Sequence, residues 1–284
     1  MNEGDRAATG EGIGEGEIRE PSVPLGPKPD GGLKADFIMA LRFFSRLPTG
    51  DSPHETPDLN RIAMALPLAS VMIGIGPALL LIGAAALGLP PYFAAAMAVG
   101  AAVMASGAMA EDALADSADG LFGGSTCARR LEIMKDSRHG TYGVAALCLF
   151  IVLRVVGIGS VVAASPLAAA AIWLASGIVA RSGALWLAVA LPPARVDGAA
   201  ATAGRLLRRS FAVGAALAAI LLFVLAGPPT SLLALALAIA LTVGVIAGWS
   251  AWCKRLVGGQ TGDLIGALVA LLEITVLTAL LLFV

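Results

Sequence analysis

The chain has little charge. Asp, Glu, Lys and Arg make up 14% of its 284 residues, against about 25% in an ordinary soluble domain. That deficit means most of the chain meets lipid or other helices rather than water. The two signs nearly cancel, to a formal net charge of −1, so no basic field exists to attract nucleic acid, and that partner is excluded. Cysteine is also scarce. Cys127, Cys148 and Cys253 lie far apart and form no CxxC pair, which argues against a thiolate metal site or a disulfide framework. Aromatics are 5% of the residues. Those within apolar stretches, such as Trp173 and Trp186, read as packing or interface anchors.

What is present is mostly apolar: 58% of residues, with a mean hydropathy of +0.86. Heavy use of Ala and Gly suits helices that pack closely in lipid. The first 35 residues differ, being rich in Gly, Glu and Pro without an apolar run. They cannot bury enough surface to offset ordering entropy and read as a disordered cytoplasmic tail. They also lack the apolar core of a signal peptide. Residues 36–284 then form a single membrane-embedded catalytic domain.

A bilayer core needs roughly 20 apolar helical residues to cross it. Seven stretches approach this, at about 63–87, 92–110, 142–163, 167–190, 211–226, 231–249 and 264–283. The fold class expected is therefore all-α, a polytopic integral membrane bundle of about seven transmembrane helices. Lys and Arg mark cytoplasmic loops. Arg42, Arg46 and Arg61 precede the first span. Arg129, Arg130, Lys135 and Arg138 follow the second, Arg195, Arg205, Arg208 and Arg209 the fourth, and Lys254 and Arg255 the sixth. The alternate connections, near Pro90, Pro166 and Pro228, carry no charge. Seven spans thus place every basic loop on one side, with the N-terminus cytoplasmic in a cell (inner) membrane. Before the first span, Phe37, Leu41, Phe44 and Leu47 recur at helical spacing. They predict an amphipathic helix lying on the headgroups, with a substrate-facing role for Arg46 as the alternative.

The chemistry concentrates after the second span, from Glu111 to Gly120. On a continuing helix Asp112, Asp116 and Asp119 fall at i, i+4 and i+7, on one face. Carboxylates so close repel one another unless a cation joins them. Mg²⁺ prefers such oxygens and keeps positions for phosphate or water. Glu111 points about 100° away from Asp112 and is the weaker candidate. A solvated acidic helix end is the bland alternative. The following Arg129, Arg130, Lys135 and Arg138 supply charge for phosphate oxygens, so the segment carries the parts of a phosphoryl-transfer site. Gly120–Gly124 reads as a flexible turn whose amides approach an anion. Asp136 is either a further ligand or an ion-pair partner of Lys135 or Arg138.

Other polar residues stand out within or beside the spans. Asp263 is either an N-cap or a substrate or metal contact. Arg181 sits within a span, where a charge is costly and usually functional. Arg154 and Glu273 are expected to pair with each other. His139 reads as a loop histidine, with acid–base work as the alternative.

Taken together, DALADSADG from Asp112 to Gly120 and RRLEIMKDSRHGTYG from Arg129 to Gly143 closely resemble cobalamin synthase, the adenosylcobinamide-GDP ribazoletransferase family. FFSRLPTG from Phe43, Arg181–Ser182, and GGQTGDLIGA from Gly258 extend the resemblance in the same order, over about 37–273. The chain departs from the family pattern at Ala110 and Ala113, where His and Gly often stand, so no base is assigned to a His.

The resemblance implies a Mg²⁺-dependent transferase in the last steps of cobalamin biosynthesis. It joins adenosylcobinamide-GDP to α-ribazole or its 5′-phosphate and releases GMP. It implies catalytic roles for Asp112, Asp116, Asp119, Lys135 and Arg138, the three aspartates also holding Mg²⁺. Substrate binding falls to Arg129, Arg130, Asp136, Arg181, Asp263 and Arg46. Membrane lipid is a further partner, and a homo-oligomer is left open. Two other classes compete. Asp116–Gly120 is similar to the opening DxxDG of CDP-alcohol phosphotransferases, but no second DxxxD follows. A transporter would use Arg154, Arg181 and Glu273 as a relay, but no inverted repeat is visible.

Overall fold

A computed structural model describes residues 32–50, 56–195 and 205–284. The expected tail therefore falls mainly outside the described residues, although Leu33 already opens the first helix. The described helices are α1 (Leu33–Phe44), α2 (Leu59–Ala86), α3 (Pro91–Ser106), α4 (Met109–Gly123), α5 (Cys127–Ile133) and α6 (Thr141–Val162). They continue as α7 (Pro166–Ala184), α8 (Trp186–Ala190), α9 (Arg208–Ala226), α10 (Leu232–Val257) and α11 (Gly262–Leu281). Pro91 and Pro166 open α3 and α7, where a missing N–H costs nothing. Asp58, Ser165, Ser231 and Thr261 cap α2, α7, α10 and α11 by accepting a backbone N–H.

Six helices are long and apolar enough to cross a bilayer: α2, α6, α7 continued by α8, α9, α10 and α11. Helices α3 and α4 together make a seventh crossing, bent by 86°. The protein is thus an all-α, multi-pass membrane bundle. Its centre is the α7–α8 span and α11, 67% and 61% buried over their most apolar stretches. Only 22% of the corresponding stretch of α10 is buried, and Ile239, Leu241 and Val243 face outward from it. Such apolar exposure fits lipid rather than water. Glycines bring backbones together: a Cβ on Gly214 of α9 would lie 2.1 Å from the Ala63 carbonyl oxygen of α2.

Four expectations need correction. The second span is not a straight helix over 92–110. It breaks at Gly107 and Ala108, both left-handed, with φ +69° and +58°. Glycine adopts this freely, but for Ala108 it is strained. The segment after α1 wedges the break: the Arg46 N–H donates to the Ala105 carbonyl at 2.8 Å, and a Cβ on Gly107 would meet Arg46 Cγ at 2.5 Å. Second, α10 continues past Trp249 to Val257. Lys254 and Arg255 therefore occupy its last turn, at the negative end of the helix dipole. Third, α1 does not merely lie on headgroups. Its Met39, Ala40, Leu41 and Phe44 are buried in one cluster with Leu59, Ile62 and Leu66 of α2, and Arg61 pairs with Asp36 at 2.5 Å. Fourth, Gly120–Gly124 is no anion-binding turn. Helix α4 runs through Gly123, and Gly120 and Gly124 are packing sites, where a Cβ would meet Met134 or Arg130 at 2.5 Å.

Candidate active site

The bend at Gly107–Ala108 starts α4 inside the bundle and sends it back toward the basic loops, antiparallel to α6. Glu111 at its inner end meets Arg154 of α6, while Asp119 at its outer end meets Gly140 and Gly143 where α6 begins. The carboxylates of α4 are thus spread over different depths.

At the inner level Arg154 is buried between two carboxylates. Its Nη1 donates to Glu111 Oε1 at 2.8 Å and its Nε to Glu273 Oε1 at 2.9 Å. The Trp173 indole N–H donates to the same Glu273 oxygen at 2.9 Å. The guanidinium also lies 4.9 Å from the Phe150 ring centre. The expected Arg154–Glu273 pair is present, and Glu111 completes it. Sequence reading missed Glu111, although a carboxylate at the edge of a span beside a lone intramembrane arginine was the available signal. Trp173, expected only to pack, is a donor to this cluster. Arg181 borders the cluster, and its Nη1 donates to the Gly177 carbonyl at 3.2 Å.

One turn outward lies an acidic face. Asp112 is exposed and Asp116 half-buried. Asp263 sits in the first turn of α11. Asp116 lies within electrostatic range of the carboxylates of Asp112, Asp263 and Asp119. Two basic side chains border this face: Arg195 is 3.6 Å from Asp263, and His139 Nδ1 is 3.7 Å from Asp116. Helix α11 approaches α4 closely, since a Cβ on Gly266 would come within 2.4 Å of the Ala113 methyl. Asp263 is not the N-cap, a place taken by Thr261. Arg195 is held in place by its own chain, since Ala194 and Pro192 exchange backbone hydrogen bonds with Gln260 just before α11. No sequence signal marked Arg195 as part of the site.

The third aspartate behaves differently. Asp119 is 7% exposed and accepts the Gly140 N–H at 2.6 Å and the Gly143 N–H at 2.9 Å. Both oxygens are used to fasten the start of α6, and a Cβ on either glycine would strike the carboxylate. The triad on one face expected for Mg²⁺ therefore divides into an open pair and a structural anchor. Among the described residues no three His, Cys, Asp or Glu side chains converge as a metal cage. Asp112 and Asp116 still fit Mg²⁺, which is commonly held by one or two carboxylates while phosphates and water complete its shell.

The basic segment also divides. Arg130 Nη1 donates to the Leu256 carbonyl at 3.0 Å, tying α5 to the end of α10. Arg129 pairs with Glu132 at 2.8 Å and Arg138 with Asp136 at 2.7 Å, both at the surface. Asp136 is therefore an ion-pair partner, and Arg138 holds its carboxyl down at about 2. Arg46 is exposed beside the α3–α4 bend. Lys135 also has a partner. None of Arg46, Arg129, Arg130, Lys135, Asp136 or Arg138 lines the cavity below, whereas Asp112, Arg181 and Asp263 do.

That cavity, of about 260 Å³, opens between the start of α4, the end of α1, α7 and α11. Glu111, Arg154, Arg181 and Glu273 form its polar inner wall, Asp112 and Asp263 its acidic wall. Residues 36–281 match the family model of cobalamin-5-phosphate synthase. The chain belongs to that family. It is similar to adenosylcobinamide-GDP ribazoletransferases from Azorhizobium caulinodans and Xanthobacter autotrophicus, 44% identical to each over 88% of this chain and 97% of theirs. The relative from Bradyrhizobium diazoefficiens is 39% identical over 86% of this chain and 92% of its own. No solved structure matches. Membership of this family removes the CDP-alcohol phosphotransferase and transporter alternatives.

Proposed function

We propose that the protein is an adenosylcobinamide-GDP ribazoletransferase, completing the nucleotide loop of cobalamin, and that Mg²⁺ is required. The family match over 36–281 carries the reaction. The open carboxylates Asp112 and Asp116 beside Asp263 support the metal. In the reaction a hydroxyl of α-ribazole, or of its 5′-phosphate, attacks the cobinamide-side phosphorus of the pyrophosphate. A new P–O bond forms, the bond from that phosphorus to the bridging oxygen breaks, GMP leaves with that oxygen, and the hydroxyl proton is released.

Asp112 and Asp116 would hold Mg²⁺, which neutralises pyrophosphate charge and draws electrons from the reacting phosphorus. The hydroxyl proton passes to a carboxylate of this face. From Asp116, half-exposed His139 offers a route to solvent. Arg195 keeps Asp263 charge-balanced, and Asp119 fixes the loop carrying His139. Arg129, Lys135 and Arg138 lie in the segment that follows α4, suited to the outer phosphates of so large a substrate. The charge pattern of the sequence puts Lys and Arg in alternate connections of a seven-span bundle, which supports a cytoplasmic N-terminus and active site in the cell (inner) membrane.

The test is GMP release by the liposome-embedded protein from adenosylcobinamide-GDP plus α-ribazole 5′-phosphate. Release that requires Mg²⁺ and stops in EDTA is expected. Release that persists in EDTA would refute the metal role, and none at all would refute the reaction.

A further inference from the structure

Resting on the ribazoletransferase reading, we infer that the cavity beside the acidic face receives the aromatic base of the ribazole substrate. Its apolar wall, with Leu185, Ile265 and Val269, sets the size of base accepted.

Three observations lead there. The first is size. At about 260 Å³ the cavity falls just below the ~300–1,000 Å³ of sites for drug-sized ligands. It suits a flat two-ring heterocycle and is too small for a corrin macrocycle. The α-ribazole base fits this volume, whereas the corrin of the other substrate does not.

The second is charge. Four carboxylates line the cavity, Glu111, Asp112, Asp263 and Glu273, against the two guanidiniums of Arg154 and Arg181. An anionic phosphate is repelled from this interior, while an uncharged ring is not. The remaining surface is aromatic and aliphatic, from Phe43 and Phe44 through Leu185 to Ile265 and Val269.

The third is unused hydrogen-bonding capacity. Arg181 has donors beyond the one given to Gly177, and the unsubstituted ring nitrogen of an azole base is an acceptor that one of them would satisfy. With the base inside, the ribose and any phosphate remain at the mouth. A ribose hydroxyl then lies beside Asp112, where the reaction needs its nucleophile.

The test uses the liposome-embedded full chain with Val269→Phe, which fills the cavity, and Val269→Ala, which enlarges it. Steady-state KM is measured for each substrate with the other saturating. Val269→Phe should raise KM for the dimethylbenzimidazole riboside at least tenfold while KM for adenosylcobinamide-GDP stays within twofold. The increase should shrink for the unmethylated benzimidazole riboside. Val269→Ala should improve a bulkier base, such as a naphthimidazole riboside, relative to dimethylbenzimidazole. If Val269→Phe fails to fold, the Val269→Ala base series alone decides. Parallel rises in both KM values, or no change in base preference, overturn the assignment. Wild-type GMP release in the same assay tests the underlying reaction separately.

Discussion

Glu111 and Asp112 adjoin in sequence, yet the structure commits them to different regions. Glu111 turns inward and joins Glu273, Arg154 and Trp173 in a buried cluster within the membrane-embedded bundle. Asp112 is exposed and shares its face with Asp116 and Asp263, where Arg195 stands 3.6 Å from Asp263 and His139 3.7 Å from Asp116. In the inner cluster Arg154 meets both carboxylates at hydrogen-bonding distance, which suits holding helices together. On the outer face carboxylates exceed tight partners, which suits holding something that comes and goes. Degree of pairing, rather than residue type, separates scaffold from site.

This contrast can be broken by single substitutions. The largest effect is expected on activity from Asp116→Asn, which should lower GMP release by at least about 10²-fold, the scale on which positioned proton-transfer groups act. The detergent melting temperature should stay unchanged; unfolding instead would place Asp116 in the scaffold. Glu273→Gln should do the reverse. Removing a carboxylate from a buried ion pair costs about 3–5 kcal/mol, so the melting temperature should fall sharply. A stable but inactive variant would move that cluster into the catalytic machinery.

Asp119→Ala sharpens the division among the aspartates. It removes two charge-assisted amide hydrogen bonds worth about 1.5–3 kcal/mol each, so stability should fall. Mg²⁺ dependence, read as the concentration for half-maximal GMP release, should not shift. A large shift would restore Asp119 to the metal. The smallest effect is expected from Arg138→Gln. Its pair with Asp136 is fully on the surface, where such pairs contribute little, and melting should not change.

The fold was largely legible because lipid imposes a simple rule: apolar length, proline punctuation and basic loops mark each crossing. The break in the second crossing was not. Gly107 is an ordinary glycine in an apolar run, and the left-handed Ala108 carries no signature. Their conformation is held by Arg46, which is remote in sequence. The acidic face was visible in the spacing of Asp112, Asp116 and Asp119, and the Arg154–Glu273 pair in the cost of burying charge. The inward turn of Glu111, the capture of Asp119 by Gly140 and Gly143, and the approach of Arg195 were hidden, because each depends on a distant segment.

By itself, the sequence determined that the protein is a helical membrane bundle with an acid-rich, basic-flanked segment resembling one enzyme family. Composition, hydrophobic length and local motifs are properties of the chain. Only the tertiary structure decided which carboxylates stay open. It bends α4 back between α6 and α11, and the partners that meet each side chain there, rather than its spacing along the helix, fix its role.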